Sequence, residues 1–131
     1  MAKYQTDDSN SLSIAEDVMA GYAYNKFTSL PLNEAFNASD WSGLLHISER
    51  TLLRYKQDNK RFDPLQTDRI LVLNRLIEFG NEVLGKENLQ KWLITDNLAL
   101  GGKKPKELLV TSFGIELVKN ELGRLAHGVL A

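Results

Sequence analysis

The chain has 131 residues, of which 43% are apolar and 25% are charged, and its formal net charge is −1. A chain of this length forms one domain, or a domain with a flexible end, and can bury a core without metal or disulfide staples. It contains no cysteine, which excludes disulfides, thiolate metal sites and cysteine catalysis and fits a reducing, cytoplasmic location.

Other absences narrow the possible functions. The two histidines, His46 and His127, are too far apart in sequence to form a helical metal-binding motif. No apolar run approaches the roughly 18 residues of a membrane span. The carboxylates do not fall into a motif with a nucleophile or a base. We therefore expect no catalysis, no metal, no cofactor, no small-molecule substrate and no membrane partner.

Charge is distributed unevenly along the chain. Residues 1–37 have a net charge of −3, whereas residues 38–75 carry seven basic and five acidic side chains, a net charge of +2. Within residues 48–61, five bases stand against only two acids. Nucleic-acid binding depends on local charge more than on the total, so this segment remains a candidate for it.

The N-terminal part predicts one helix and one short helix. Residues 1–12 are polar and predicted to be flexible. Ser13 can cap a first helix that runs to about Asn25. Pro31 then disfavours a helical conformation at the preceding residue, and a short helix follows over about 32–37.

Two short helices with a tight turn between them come next. Ser39 is predicted to cap the first helix and Ser48 the second. Only one or two residues separate these helices, so the chain must turn sharply near 46–47. A short helix pair whose second member is basic is typical of a helix–turn–helix, in which the second helix enters the DNA major groove.

Asp63 and Pro64 predict the start of a longer helix, since aspartate is a good N-cap and proline suits the first helical position. This helix should run to about Leu84, where Gly85 stops it. Further helices are expected over about 87–94 and from Ser112 or Thr111 to about His127. Period-2 alternation is absent. We therefore predict an all-α protein, a compact bundle of short helices without internal repeats.

The second helix of the pair predicts a DNA-binding face. Leu52 and Tyr55, at i and i+3, anchor it to the core. The arginines can match the two major-groove acceptors of guanine, the lysines and Arg61 would contact phosphates, and the helix N-terminus could receive a phosphate. The predicted DNA-binding residues are Ser48, Glu49, Arg50, Arg54, Lys56 and Lys60.

The alternative is a solvated basic face on a structural helix pair. His46 argues for this alternative, because the turn of a helix–turn–helix often holds a glycine and a left-handed conformation costs more for histidine.

The segment Gly101–Gly102–Lys103 is a weak match to a phosphate-binding loop. Lys104 follows where that motif needs serine or threonine, and Asn97 stands where it needs its first glycine. The glycines instead predict a corner between helices, with Pro105 starting the next one.

The same stretch, continued toward the C-terminus, carries a spaced pattern of tryptophan, leucine, asparagine, glycine and proline. Its positions are Trp92, Leu93, Asn97, Leu100, Gly101, Gly102, Pro105, Leu108, Leu109, Thr111, Gly114, Leu122, Arg124, Leu125, Gly128 and Val129. With this pattern the stretch closely resembles the toxin-binding domain of Xre/MbcA/ParS-type antitoxins. The "ISERTLLRYK" segment upstream is similar to the helix–turn–helix of that family, so the resemblance covers roughly residues 38–131. One departure is Asp96, where the family often has proline.

The resemblance implies the antitoxin of a type II toxin–antitoxin pair. Its partner would be a RES-domain toxin, which degrades NAD, and the antitoxin would block the toxin's active site. The family also implies a homodimer that binds operator DNA and represses its own operon. On this basis residues 13–62 form the helix–turn–helix region and residues 63–131 the toxin-binding domain. Alternatives are a stand-alone DNA-binding regulator and an immunity-type interaction protein without DNA binding.

The C-terminal residues are the predicted toxin contacts. Gly128 is expected to end the last helix, which leaves a short apolar tail over residues 129–131. With the resemblance, this tail is expected to enter a concave site of the toxin, although it could instead fold onto the chain's own core. Arg124 either bridges to an acidic toxin residue or lies favourably at the helix C-terminus. The predicted toxin-binding residues are Arg124, His127, Gly128, Val129, Leu130 and Ala131.

Overall fold

The computed structural model describes the backbone of residues 8–130 and the side chains of residues 11–128. Within these residues the regular elements are helical, accompanied by two isolated β-bridges, which confirms the predicted all-α class. The α-helices are α1 (Asp8–Ala20), α2 (Tyr24–Thr28), α3 (Ala38–Leu45), α4 (Glu49–Asp58), α5 (Pro64–Leu84), α6 (Lys86–Leu93), α7 (Pro105–Leu108) and α8 (Ser112–Leu130). Two 3₁₀ turns span Pro31–Glu34 and Leu98–Leu100.

The described residues form two compact units, residues 8–74 and residues 75–130, with the division inside α5. The predicted regions 13–62 and 63–131 remain predictions. Of the predicted flexible N-terminus, residues 1–7 lie outside the described residues, whereas α1 already begins at Asp8.

The N-terminal unit is built around a cluster of aromatic side chains. The ring of Phe27 lies 4.8 Å from that of Trp41 and 5.0 Å from that of Phe62, both in edge-on geometry. The ring centre of Tyr55 also lies 5.2 Å from that of Phe62. Trp41 donates its indole N–H to the Asn33 side chain at 2.9 Å. Edge-on rings with satisfied polar atoms stabilise a core beyond the burial of their area.

The predicted helix over 13–25 is wrong, because Gly21 divides it into α1 and α2. Gly21 has φ +81, and a Cβ there would overlap the Phe62 carbonyl oxygen. Phe62 in turn donates its backbone N–H to the Tyr22 carbonyl at 2.8 Å, and Tyr22 donates to the Thr67 hydroxyl at 3.1 Å. Contacts with residues some forty positions away therefore override the local helix signal.

Helix α3 begins at a different cap from the predicted Ser39. Asn37 accepts a hydrogen bond from the Asp40 backbone N–H at 2.8 Å, and the Asp40 carboxylate accepts one from the Asn37 N–H at 2.9 Å. This reciprocal capping box satisfies two N–H groups at once, which the Ser39 hydroxyl alone could not do. The short helix expected over 32–37 is the 3₁₀ turn Pro31–Glu34.

Helix α5 begins and ends where it was predicted to. Asp63 accepts from the Gln66 N–H at 2.7 Å and Gln66 returns the bond at 3.0 Å, with Pro64 in the first helical position. Gly85, at φ +85, ends the helix. Its inward side is buried at Ile70, Leu73 and Ile77 and half-buried at Leu84.

The C-terminal unit packs α5 closely against α6. A Cβ at Gly80 would lie 2.7 Å from a methyl carbon of Leu89, so glycine here permits the close approach. Leu89 and Leu93 are buried, while Trp92 is only partly buried.

The glycine corner predicted between helices is confirmed. Gly101 and Gly102 have φ of 73° and 80°. The Asn97 side chain accepts from the Ala99 N–H at 2.9 Å, and its backbone bonds to Lys103 and Gly102 close the corner. The next helix, α7, starts at Pro105. The corner is therefore a rigid turn held by asparagine.

Candidate interaction surfaces

Helices α3 and α4 in the N-terminal unit have the connection of a helix–turn–helix. His46 adopts the left-handed conformation, φ 57 and ψ 41, and donates its backbone N–H to the Ser42 carbonyl. Ile47 donates to the same carbonyl at 3.1 Å. Ser48 caps α4, as predicted, by accepting from the Thr51 N–H at 3.0 Å. Histidine thus takes the place that glycine often holds in this turn.

The inner side of α4 is anchored by the two predicted residues. Leu52 is buried, and Tyr55 packs on Phe62. Asn59, at φ 46, ends α4, and Lys60 donates its N–H to the Tyr55 carbonyl at 2.9 Å. Because both ends of α4 are fixed, its outer side chains project from a rigid base.

The predicted DNA-binding side chains are all exposed on α4 and its flanks. Successive residues of a helix are separated by about 100°, so Arg50 and Arg54 lie on the side opposite Leu52, whereas Glu49 lies about 60° from Leu52. Sequence reasoning missed Leu53, which lies between Glu49 and Arg50 around the helix and is 51% exposed. Its position four residues after Glu49 was a signal that could have identified it.

Two flanking cations have intramolecular contacts. The Lys60 ammonium lies 4.9 Å from the centre of the Tyr55 ring. Arg61, predicted to contact phosphate, donates from one guanidinium nitrogen to the Gly21 carbonyl at 2.7 Å. Arg61 also borders a groove of about 280 Å³ between α1 and α2, where Lys26 lies over the Tyr22 ring. Arg61 thus ties together parts of the N-terminal unit.

The second surface is helix α8 in the C-terminal unit. Thr111 caps the helix by accepting from the Gly114 N–H at 3.0 Å, which decides between the two predicted caps. A Cβ at Gly114 would overlap the carbonyl oxygen of Leu108, so α8 starts directly against α7. Its inner face is buried at Ile115, Val118 and Leu122.

Arg124 is held on the outer part of α8 by an acid that sequence reasoning missed. Its Nε donates to the two carboxylate oxygens of Glu121 at 2.5 and 3.1 Å. The Glu121 side chain is 5% exposed and that of Arg124 is 68% exposed. Glu121 raises the pKa of the Arg124 guanidinium, through the hydrogen bond first and then through its charge. The i, i+3 spacing was the available signal.

The predicted helix end at Gly128 is wrong. Helix α8 continues to Leu130, and Gly128 lacks the left-handed conformation with which Gly85 ends α5. His127 and Gly128 are exposed. The side chains of Val129 and Leu130, and the whole of Ala131, lie outside the described residues, so the tail contact stays a prediction.

Within residues 11–128, no group of three His, Asp or Glu side chains is arranged to hold an ion. In the part of the chain that is described, no helix is both long and apolar enough to cross a membrane.

Comparison with known proteins gives a family match within the C-terminal unit. Residues 79–128 match the model of the antitoxin Xre/MbcA/ParS C-terminal toxin-binding domain. The match runs from the end of α5 through most of α8. Over 120 residues the chain is 26% identical to the antitoxin Xre of Yersinia enterocolitica, an alignment that covers 90% of this chain and 81% of that protein.

Proposed function

We propose that this chain is an Xre/MbcA/ParS-type antitoxin, which neutralises a RES-type, NAD-degrading toxin by binding it and blocking its active site. We also propose that it binds operator DNA as a homodimer and so represses its own operon. It acts in the cytoplasm by binding alone, without catalysis.

The toxin contact is supported by the family match, which falls on the C-terminal unit. Arg124, His127 and Gly128 are exposed along the last turns of α8. In the proposal, these residues guide residues 129–131 into the toxin's active site.

The DNA contact is supported by the geometry of α3 and α4. Helix α4 begins at a capped, exposed N-terminus, and Arg50 and Arg54 project from its outer side. Leu52 packs the opposite side of the helix into the core. This is the arrangement through which a second helix reads base edges. A homodimer would present two such helices to two half-sites.

Co-purification tests the toxin contact. The full chain and the RES-type protein encoded by a neighbouring gene are co-expressed, and the complex is recovered through a tag on the toxin. We expect the wild-type chain to co-purify, and a chain truncated after Leu125 to lose neutralisation. Full protection of cells by the truncated chain would show that the tail does not block the active site.

A double variant tests the DNA contact. Arg50→Ala together with Arg54→Ala should weaken binding to the DNA upstream of the chain's own gene by roughly 30-fold or more, because each arginine can discriminate one base pair. Lys103→Ala together with Lys104→Ala removes the same charge from the other unit and is the matched control. If both double variants bind this DNA equally well, the DNA contact does not involve Arg50 and Arg54.

A further inference from the structure

Helix α8 is apolar on two sides over its first turns. Ile115 and Val118 are buried, at 6% and 0% exposure. On the roughly opposite side, Phe113 is 87% exposed and Leu117 is 53% exposed. These two residues are four positions apart and therefore neighbours on the helix surface. A helix that buries one face in its own unit normally carries polar residues on the other, so the outer apolar side requires an explanation.

The orientation of α8 keeps Phe113 in solvent. Gly114 lies against the Leu108 carbonyl, with no room for a Cβ, and its N–H is bonded to the Thr111 hydroxyl. Rotation of the helix to bury Phe113 would break both contacts and expose Ile115. The exposure of Phe113 therefore follows from the packing of the C-terminal unit.

The glycine corner adds a third exposed apolar side chain, which lies beside α8. The 3₁₀ turn Leu98–Leu100 packs against α8, and Leu98 is 94% exposed. The hydrogen bonds of Asn97 fix this turn, so the position of Leu98 is also determined by the fold. Phe113 alone presents on the order of 150 Å². Leu98 and Leu117 add to this exposed apolar area, and the largest exposed apolar patch of a protein is often an interaction site.

We propose that Phe113, Leu117 and Leu98 form the apolar docking surface for the toxin, separate from the C-terminal tail. The inference rests on the proposed function and deepens it. All three residues lie within residues 79–128, the part that matches a toxin-binding domain. Lys103 and Lys104 are exposed on the corner that carries Leu98. The matching toxin surface is an apolar recess with acidic side chains at its edge.

This surface continues the proposed tail contact along α8. Arg124 is eleven residues after Phe113, close to three full turns, and so projects from the same side of the helix. At 1.5 Å per residue the distance along the axis is about 16 Å. The toxin thus contacts one continuous side of α8, with Phe113 as an aromatic anchor at one end and the tail at the other. The anchor provides affinity for this chain's own toxin, and the tail blocks catalysis.

Binding of the full chain to the purified toxin from the neighbouring gene tests this inference. The double variant Phe113→Ser with Leu98→Ser should raise the Kd by roughly 30-fold or more, the effect of losing a binding hot spot. Both side chains are exposed, so we expect the variant to keep the wild-type Tm. Leu117→Ser is a second variant that tests the same surface if the first one expresses poorly.

Met19→Ser with Leu65→Ser is the matched control. These residues are 75% and 81% exposed but lie in the N-terminal unit, so the control should bind like wild type. The inference is overturned if the Phe113 and Leu98 variant binds the toxin as tightly as wild type. It is also overturned if that variant only changes from dimer to monomer, which would assign the surface to a second copy. If the wild-type chain does not bind the toxin at all, the proposed function itself is wrong.

Discussion

The exposed guanidinium of Arg124 is held by the buried carboxylate of Glu121, with Nε–oxygen distances of 2.5 and 3.1 Å. A carboxylate that is 5% exposed depends on such donors, because an unpaired buried charge is costly. The pair therefore fixes Arg124 on the outer side of α8, where the proposed toxin interface runs.

This pairing predicts a coupling between the two residues. Arg124→Ala should lower the Tm, since it deprives the buried Glu121 carboxylate of its partner. In a Glu121→Leu background the same change should have little further effect. Thermal unfolding of the four chains measures the coupling, and equal losses of Tm in both backgrounds would contradict it.

Gly114→Ala should destabilise the chain by about 1–3 kcal/mol, the usual cost of forcing an extra methyl group into a packed site. The new Cβ would overlap the Leu108 carbonyl and push α8 away from α7. Denaturant unfolding measures the change.

Gly123→Ala is the control in the same helix. A Cβ at Gly123 meets nothing within 4 Å, so alanine should stabilise α8 by up to about 1 kcal/mol through its helix propensity. Equal effects of the two substitutions would mean that Gly114 is not in close contact with Leu108.

Asn37→Ala should cost about 1 kcal/mol of unfolding free energy, because Asn37 provides the side-chain cap of α3. Ser39→Ala, at the cap predicted from the sequence, should change it by less than about 0.5 kcal/mol. A larger loss at Ser39 than at Asn37 would reverse the assignment of the cap.

These cases indicate which features the sequence could predict. Asp63, Gln66 and Gly85 act within a few residues of their own helix, and the limits of α5 were predicted correctly. Gly101 and Gly102 similarly act through their own backbone angles. Local capping and turn chemistry can be recognised from sequence spacing alone.

Some of the features that were missed depend on distant partners. The break at Gly21 requires Phe62, and the engagement of Arg61 requires the Gly21 carbonyl, each about forty residues away. The exposure of Phe113 depends on how Gly114 packs against Leu108. Helical periodicity gives no sign of which of two apolar faces is buried, so the outer face of α8 was not identified.

On α4, arginine and lysine variants should affect operator binding differently. Arg50→Ala should cost about 1–3 kcal/mol and relax specificity at one base pair, because arginine reads a base edge. Lys56→Ala should weaken binding to all sequences similarly and lower the salt slope by about 1. Titrations of operator and scrambled duplexes at several salt concentrations separate these effects. If Lys56→Ala leaves the salt dependence of binding unchanged, Lys56 does not contact a phosphate.

In the proposed function, this chain protects cells by neutralising a toxin that degrades NAD. Cellular NAD is measured after induction of the toxin encoded beside this chain's gene, with and without the chain. We expect the NAD concentration to stay near its uninduced value when the full chain is co-expressed, and to fall when the chain is absent. An equal fall of NAD with and without the chain would contradict the proposed neutralisation.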